Sequence, residues 1–428
     1  MCGIAGWIER DADMSMRIKL LNNMSQTLEK RGPDENGIYI NKNTALIHRR
    51  LVVIDRENGK QPMSVTHKGK TYVIVYNGEL YNTEALREEL RADGFRFRGH
   101  SDTEVVLKMY IKYGSRCADK LNGIFAFAVF NSSDRSIFLC RDKIGVKPLF
   151  YYEYKGGLIF GSEIKALLAS TIVKPKIDEQ GLNEIFFLGP ARTPSCGVFK
   201  GVHELNPGEC AIYKNGILCR EQYYRIEAKE HTDSENDTIE KTRSLLTDAI
   251  RRQLVSDVPL CFFLSGGLDS SIIVKTASEY YKERKLGKIN TYSVEYRDNE
   301  KFFKKSRFQP NADYEYISMM ADNADTRHRE VILDNKALVD ALYDSVEARD
   351  LPGYVDVDSS LLLFCKEIKQ NYTVALSGEC ADELFGGYPW YHDKSILFDD
   401  CFPWSKSQDV RRFILKDGIL KNGEEYVR

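Results

Sequence analysis

The 428-residue sequence lacks any apolar run long enough to span a bilayer, and the polar, acidic stretch after Trp7 does not resemble a signal peptide. It also lacks a charge imbalance, because 61 Lys and Arg accompany 63 Asp and Glu for a formal net charge of -2. Such a chain has no electrostatic reason to bind nucleic acid or an anionic membrane. We therefore expect a cytoplasmic protein with neither of these partners.

The sequence has no C-x-x-C pair among its ten scattered cysteines. This spacing argues against a zinc site, and a disulfide framework is not expected in a cytosolic chain of this size. Most of the thiols are therefore expected to be reduced and buried. Cys2 is different, because a structural cysteine is seldom found at the end of a chain.

The length favours two domains, since 428 residues exceed what one core usually serves. The first half reads as short strands and turns with two helices, over TEALREELRADG and DTEVVLKMYIKYG, which is typical of an α+β fold. After the polar stretch AKEHTDSEND, strands alternate with helices, which predicts a parallel sheet. The expected organisation is a domain over 2–215, a linker over 216–235 and a domain over 236–428.

The string LSGGLDSS, residues 264–271, joins an apolar strand to a helix. Paired glycines let the backbone approach an anion, while serine hydroxyls and the helix N-terminus donate to it and favour its charge. The string is not a Walker A loop, because it contains no G-x-x-x-x-G-K-[ST]. It predicts a phosphate cradle in which Asp269 holds the accompanying Mg²⁺.

A second loop, SGECADELFGGY, again places Ser-Gly after an apolar strand, at the sheet edge where open parallel sheets bind ligands. Glu379, Asp382 and Glu383 cluster here, so one carboxylate could bind metal and another could orient the acid substrate. An acidic helix start is the alternative interpretation.

Together the two loops resemble the PP-loop ATP-pyrophosphatase domain of asparagine synthetases. The first half is similar to the glutamine amidotransferase domain of the N-terminal-nucleophile type that is fused to it in that family. The resemblance rests on ordered strings from residue 1 to about 390: MCGIAG, KRGPDENG, HRRLVVID, VYNGELYN, GHSDTEVVL, GIFAFAVFN, RDKIGVKPLFY and GSEIKALL. It implies an α+β domain of two packed antiparallel sheets between helices, followed by an α/β parallel-sheet domain.

The resemblance implies that Met1 is removed and that the Cys2 thiolate attacks the side-chain amide of glutamine. A free α-amine, with a pKa of about 7.7–8.0, is a usable local base for this thiol. The glycines behind Cys2 are expected to let substrate approach the backbone.

Other site residues follow from the resemblance alone. Asn77 and Gly78 match an oxyanion hole, Arg50 a clamp for the glutamine carboxylate, and Glu79 and Asp102 the partners of its ammonium group. Asp102 could also be the N-cap of the following helix.

In the second domain, the resemblance assigns adenosine contacts, pyrophosphate contacts, a second loop and metal ligands. The adenosine contacts are Phe263, Leu264 and Val294, and the pyrophosphate contacts are Ser265, Gly266, Gly267, Asp269 and Ser270. The second loop contributes Ser377, Gly378 and Glu379, and the metal ligands are Asp269 and Asp382.

The implied reaction makes asparagine. Cys2 releases ammonia from glutamine, ATP and aspartate form an acyl-adenylate with Mg²⁺, and ammonia displaces AMP. Members of the family usually continue with an R-x-P-F-L-D segment and later a lysine that neutralises charge near the adenylate, and neither string is found before Arg428. Glutamine hydrolysis is therefore expected to survive, and amidation is expected to be weak or absent.

Alternatives remain. A related ligase could amidate another acid, such as diaminopimelate, and a glutaminase-only fragment or a glutamine or nucleotide sensor is also compatible with the sequence. Asp350, Asp356 and Asp358, in the region expected to line the acid pocket, are interpreted as structural or N-capping residues rather than as ligands. The sequence leaves a homodimer open.

Overall fold

The computed structural model describes residues 1–305, 312–398 and 413. The chain divides into two compact units. The first comprises Met1–Phe186 and Ala191–Lys229, and the second comprises Phe187–Pro190 and Glu230–Arg428. No helix formed by the described residues combines the length and apolarity needed to cross a membrane.

The first unit is built from strands and mostly short helices. Its strands are β1 (Gly3–Glu9), β2 (Glu35–Asn41), β3 (Thr44–Arg50), β4 (Met63–His67), β5 (Lys70–Leu80), β6 (Gly123–Asn131), β7 (Ser136–Arg141), β8 (Phe150–Tyr154), β9 (Gly157–Gly161), β10 (Val202–Glu204), β11 (Glu209–Lys214) and β12 (Ile217–Gln222). Its α-helices are α1 (Ile18–Thr27), α2 (Thr83–Ala92), α3 (Asp102–Tyr113), α4 (Cys117–Lys120), α5 (Ile164–Leu168) and α6 (Glu179–Asn183).

These strands form two antiparallel six-stranded sheets, in the orders β10-β8-β9-β1-β3-β2 and β12-β11-β7-β6-β5-β4. Alternate side chains of both sheets, such as Leu46 and Val75, fill one apolar core between them. A second core lies between β5 to β7 and the helices α2 and α3, while α1 and α5 contact the other sheet. The predicted arrangement of two packed antiparallel sheets between helices is confirmed.

Two details of the first unit differ from expectation. α1 was not predicted, because its residues are mostly polar and only Leu21 and Met24 supply a fully buried apolar stripe. Residues 217–222 fall in the expected linker but form β12, which pairs with β11 after the left-handed turn at Asn215 and Gly216.

β3 and β5 position the candidate residues, and one histidine ties the two strands together. His48 on β3 is buried, and its Nε2–H donates to the Tyr76 carbonyl oxygen on β5 over 3.1 Å. Gln61 donates to the same carbonyl, and its side-chain oxygen accepts from the Tyr76 N–H at 2.7 Å. These bonds fix β5 at Tyr76, the residue directly before Asn77 and Gly78.

Acid is expected to weaken the first unit through His48. Burial lowers the pKa of His48 to about 3, whereas an unfolded histidine has a pKa of about 6.5. Below pH 6.5 the unfolded chain therefore binds a proton that the folded chain excludes, so this residue costs up to about 1.4 kcal/mol of stability per pH unit on acidification. Urea unfolding of the parent at pH 7.5 and 5 should show this loss, and His48→Gln should reduce it.

His67→Gln provides the control, since His67 on β4 is only partly buried. An equal pH dependence in the parent and the His48→Gln variant would show that acid acts elsewhere.

The second unit alternates helices and strands. Its α-helices and strands are α7 (Glu235–Arg252), β13 (Leu260–Phe263), α8 (Leu268–Glu283), β14 (Asn290–Tyr296), α9 (Asn299–Phe302), α10 (Tyr314–Asn323), β15 (Arg327–Leu333), α11 (Asn335–Asp340), α12 (Leu342–Arg349), α13 (Val355–Ile368), β16 (Val374–Leu376) and α14 (Ala381–Phe385).

Its four strands form a parallel sheet in the order β15-β14-β13-β16, which confirms the predicted α/β fold. Apolar residues of α8 and α10 cover one face of the sheet, and α13 contributes to the core on the other. Cys261 pairs with Ala375 and Phe262 with Leu376, so β13 and β16 end side by side. The two Ser-Gly loops that follow these strands therefore leave the same sheet edge.

Candidate active sites

Cys2 lies immediately before β1, opposite the end of β3. Its Sγ accepts from the Leu51 N–H at 3.4 Å and lies 3.7 Å from the Leu51 carbonyl oxygen. Its own carbonyl oxygen accepts from Arg31 Nε at 3.0 Å. The thiol is thus held by the segment that follows β3, although it belongs to the end of the chain.

Burial raises the pKa of the Cys2 thiol, while the Leu51 hydrogen bond and the positive chain terminus oppose this shift. The thiol is therefore mainly protonated near neutral pH and needs a base to become nucleophilic.

The glycines behind Cys2 are closely packed inside the first unit. A Cβ on Gly3 would lie 2.8 Å from Leu28 Cβ, and one on Gly6 would lie 2.3 Å from the Phe160 ring. Their missing side chains allow this close internal packing of β1.

Asn77 presents an unpaired donor. Its side chain is 1% exposed, and its Nδ2 has no hydrogen-bond partner among the described residues. A buried amide without a partner carries a desolvation cost that a bound acceptor would remove. The orphaned amide therefore indicates a binding position for an oxygen.

The backbone of β5 adds a second donor beside this amide. Tyr76 N donates to Gln61 and Leu80 N to Asp102, so both N–H groups point away from the partner strand β6. Because N–H directions alternate along an antiparallel strand in regular register, the N–H of Gly78 points to the same open side. Asn77 and Gly78 can together hold a developing oxyanion.

Glu79 and Asp102 form a pair of carboxylates that is largely shielded from water. Burial raises the pKa of Glu79 to about 8, and the like charge of Asp102 adds to the shift. Burial also raises the pKa of Asp102, which accepts from Tyr76 Oη at 3.0 Å and Leu80 N at 3.2 Å. Such a pair is suited to a cationic ligand, which would remove the repulsion.

The N-cap interpretation of Asp102 is wrong. Ser101 caps α3 through its hydroxyl, which accepts from Thr103 N, and Asp102 is the first residue of the helix. The carboxylate of Asp102 therefore remains directed at β5.

Arg50 is 4% exposed, and its terminal nitrogens are fully occupied in this structure. Nη1 donates to Glu35 at 2.8 Å and to the Arg56 carbonyl, and Nη2 donates to the Ile54 and Asp55 carbonyls. Arg50 thus orders the loop after β3, and the Glu35 carboxylate binds its Nη1.

Sequence reasoning missed two cations beside Cys2. Arg31, from KRGPDENG, binds the Cys2 carbonyl oxygen and Glu163. Lys147, from RDKIGVKPLFY, is 7% exposed, and its Nζ lies 2.9 Å from Met1 Sδ. Both strings contributed to the resemblance, but neither position was singled out.

In the second unit the phosphate-cradle string forms a tight loop before α8. The Ser270 hydroxyl accepts from Ser265 N at 3.1 Å and lies 3.0 Å from the Ser265 hydroxyl. Gly266 has a φ of +79°, which suits glycine, and Gly267 is the N-cap of the 16-residue α8. Ser265 and Gly267 are exposed, so the loop can offer hydroxyl and amide donors to an anion.

The second loop packs directly on the first. A Cβ on Gly378 would lie 2.9 Å from both Asp269 Cβ and Ser270 N. Ser377 Oγ accepts from Glu379 N at 3.3 Å, which leaves the exposed Glu379 carboxylate at the loop. The structure therefore brings the predicted residues of both loops together.

Asp269 and Asp382 are close enough to influence each other. Burial raises the pKa of Asp269, and the charge of Asp382 raises it further. The described residues contain no cluster of three or more metal-ligating side chains. Two carboxylates suit Mg²⁺ bound together with phosphate oxygens, since this ion rarely uses an all-protein cage.

The three predicted adenosine contacts line the sheet next to this loop. Leu264 follows β13 and is buried, whereas Phe263 and Val294 are partly buried. The Phe263 ring lies 4.7 Å from that of Phe364. Phe263 and Val294 belong to the apolar cluster on the α13 face of the sheet, whereas Leu264 belongs to the core under α8 and α10, so the three side chains do not form one surface.

Asp358 gives the best support for the interpretation that the acidic residues between 350 and 358 have structural roles. Its carboxylate binds Arg349 at 2.5 Å and accepts from Tyr354 N at 2.8 Å. Asp350 is the left-handed residue that ends α12, and Asp356 is exposed in the first turn of α13.

Comparison with known proteins identifies relatives of both units. The family profile described as "Glutamine amidotransferase domain" matches residues 1–224, and that described as "Asparagine synthase" matches residues 241–426. The chain is 48% identical over 429 residues to asparagine synthetase (glutamine-hydrolyzing) 3 of Bacillus subtilis, an alignment that covers 100% of this chain and 70% of that protein.

Two other relatives are more distant. Asparagine synthetase (glutamine-hydrolyzing) 1 of the same bacterium is 33% identical, over 93% of this chain and 60% of its own length. A putative asparagine synthetase (glutamine-hydrolyzing) 2 of Methanocaldococcus jannaschii is 32% identical, over 91% of this chain and 76% of its own length.

Proposed function

Because the chain belongs to the glutamine-hydrolysing asparagine synthetase family, we propose that it makes asparagine from aspartate, with glutamine as nitrogen donor and ATP as energy source. We assign glutamine hydrolysis to the first unit and ATP-dependent amidation to the second. The chain spans 70% of the first relative's length and 60% of the second's, so the whole reaction is a proposal for this chain.

The observation that carries the glutaminase assignment is the orphaned, buried amide of Asn77 beside the outward N–H of Gly78. With Met1 removed, the terminal amine of Cys2 takes the thiol proton and Sγ attacks the amide carbon of glutamine. Asn77 and Gly78 hold the oxyanion, and ammonia leaves with the proton that the amine returns. Water then hydrolyses the thioester to release glutamate.

Substrate orientation is assigned to the charged groups around this position. Glu79 and Asp102 take the ammonium of glutamine, whose positive charge relieves their mutual repulsion. Arg50 takes its carboxylate by exchanging the Glu35 carboxylate for that of the substrate, which preserves the same hydrogen-bond chemistry.

In the second unit, Ser265 to Ser270 are assigned to the pyrophosphate of ATP, and Leu264, Phe263 and Val294 to adenosine. Ser377, Gly378 and Glu379 complete the site, with Glu379 placed to orient the reacting acid. The aspartate β-carboxylate attacks the α-phosphorus and pyrophosphate leaves. Ammonia then attacks the acyl carbon and displaces AMP, which gives asparagine.

We assign Mg²⁺ to Asp269 and Asp382, where it would neutralise phosphate charge. Asp269→Asn is expected to lower AMP formation by at least about 10–100-fold, as is typical when support of a metal site is lost. Glutamine hydrolysis should stay within about twofold of the parent.

Glu279→Gln is the matched control, since Glu279 lies on the same helix, α8, and pairs with Lys275 on the surface. Unchanged AMP formation in Asp269→Asn, measured over a Mg²⁺ titration, would exclude this carboxylate from the metal site.

The proposed function is tested by one assay with glutamine, ATP and aspartate that follows glutamate, AMP, pyrophosphate and asparagine separately. Matched formation of asparagine, AMP and pyrophosphate supports it. Formation of glutamate without the other products would indicate that the chain acts only as a glutaminase. Release of AMP with diaminopimelate but not with aspartate would indicate that the chain amidates a different acid.

We also propose a cytoplasmic location, because the nine described cysteines are all free thiols, which persist in a reducing compartment.

A further inference from the structure

Lys147 has an unusual environment for an ammonium group. Its side chain is 7% exposed, and among the described residues Nζ has Met1 Sδ, at 2.9 Å, as its hydrogen-bond partner and forms no ion pair. A thioether is a weak acceptor, whereas a buried ammonium normally binds a carboxylate or several oxygens. The contact therefore places a buried amino group at the beginning of the chain. Burial and the charge of Arg31 lower the pKa of Lys147, while the charges of Glu79 and Asp142 oppose this shift.

The position of Lys147 is fixed by its backbone. Lys147 N donates to Asp142 Oδ2 at 3.0 Å, and its carbonyl oxygen accepts from Arg141 Nε at 2.8 Å. The Asp142 carboxylate also accepts from the N–H groups of Phe125, Ile144 and Val146. This carboxylate is thus saturated by backbone donors and holds the loop rather than the Lys147 ammonium.

The other charged groups facing the chain terminus are mostly paired. Arg31 binds Glu163, and Arg50 binds Glu35. Glu79 acts on both Lys147 and the chain terminus, but burial and the like charge of Asp102 raise its pKa to about 8, so near neutral pH it compensates these positive charges only in part.

We propose that Lys147 is a positioning residue of the glutaminase site, whose ammonium keeps the terminal amine of Cys2 unprotonated and hence available as the base. The proposal rests on the proposed role of Cys2. Removal of Met1 takes away the thioether and brings the new α-amine to the same end of β1. Like charges disfavour each other, so a charged Lys147 lowers the pKa of that amine.

Lys147→Met tests the proposal, because it removes the charge and retains much of the apolar length. The acidic limb of the pH profile of kcat/KM for glutamine hydrolysis should move up by about one unit, with about tenfold less activity on that limb and recovery at alkaline pH. Lys147→Arg should keep the parental limb. Lys143→Met is the matched control, since Lys143 lies on the same segment but over the Tyr224 ring.

The proposal would be overturned if the acidic limb of the pH profile lay at the same pH in Lys147→Met and in the parent. It would also be overturned if kcat/KM fell equally at every pH in Lys147→Met and Lys147→Arg. A measurement independent of glutaminase activity uses the Cys2→Ser background, with loss of Met1 verified by mass spectrometry. There the acylation rate of the terminal amine against pH should report a higher pKa when Lys147→Met is added. If the amine titrates as expected but the parent does not hydrolyse glutamine, the proposed function fails while the inference about Lys147 stands.

Discussion

Cys2→Ala is expected to abolish glutamine hydrolysis, lowering its rate by about 10⁴-fold or more. Leu51 N and Arg31 Nε fix the position of Cys2, and the proposed removal of Met1 would give this residue the terminal amine that serves as its base. With free ammonia the variant should keep the parent's rates of AMP and asparagine formation, since its second unit is unchanged. Glutamate and AMP must therefore be measured separately, with glutamine or ammonium chloride as nitrogen source.

Cys219→Ala serves as its control, because Cys219 is an exposed thiol on β12 of the same unit. Equal losses in both variants would indicate a general thiol effect, and persistent glutaminase activity in Cys2→Ala would exclude Cys2 as nucleophile. Loss of ammonia-dependent synthesis in Cys2→Ala would indicate damage beyond the glutaminase site.

The phosphate cradle could be predicted from sequence because its parts are contiguous. An apolar strand, a glycine pair and a helix start follow one another within LSGGLDSS, and the structure forms β13, the loop and α8 in that order. The alternation of strands and helices likewise predicted the parallel sheet. The local sequence is enough to predict a site when residues that are neighbours in the chain form it.

The environment of Cys2 could not be predicted in the same way, because it is assembled from distant segments. The occupancy of Arg50 by Glu35 and three backbone carbonyls depends on how the loop after β3 folds back. The approach of Lys147 to Met1 joins residues 146 positions apart. α1 was missed for a related reason, since its few apolar residues are stabilised by tertiary packing rather than by a strong periodic pattern.

Replacing Asn77 with alanine is expected to lower kcat for glutamine hydrolysis by about 10²–10³-fold with little change in KM. The side-chain amide is buried and unpaired among the described residues, so its hydrogen bond is available for charge that develops on the substrate oxygen. Gly78 N–H remains in the variant and accounts for the residual rate. Asn77→Asp should be at least as damaging, because a carboxylate would repel the oxyanion in the same position.

Asn131→Ala is the matched control, since it removes the same side chain from β6 in the same sheet, opposite Tyr72. Stability gives an independent check. Removing a buried donor that lacks a partner should leave the unfolding free energy nearly unchanged or raise it, whereas a structural amide would cost about 1–3 kcal/mol. A variant that is clearly destabilised and loses activity only in proportion to its unfolded fraction would assign Asn77 to the core instead of the oxyanion hole.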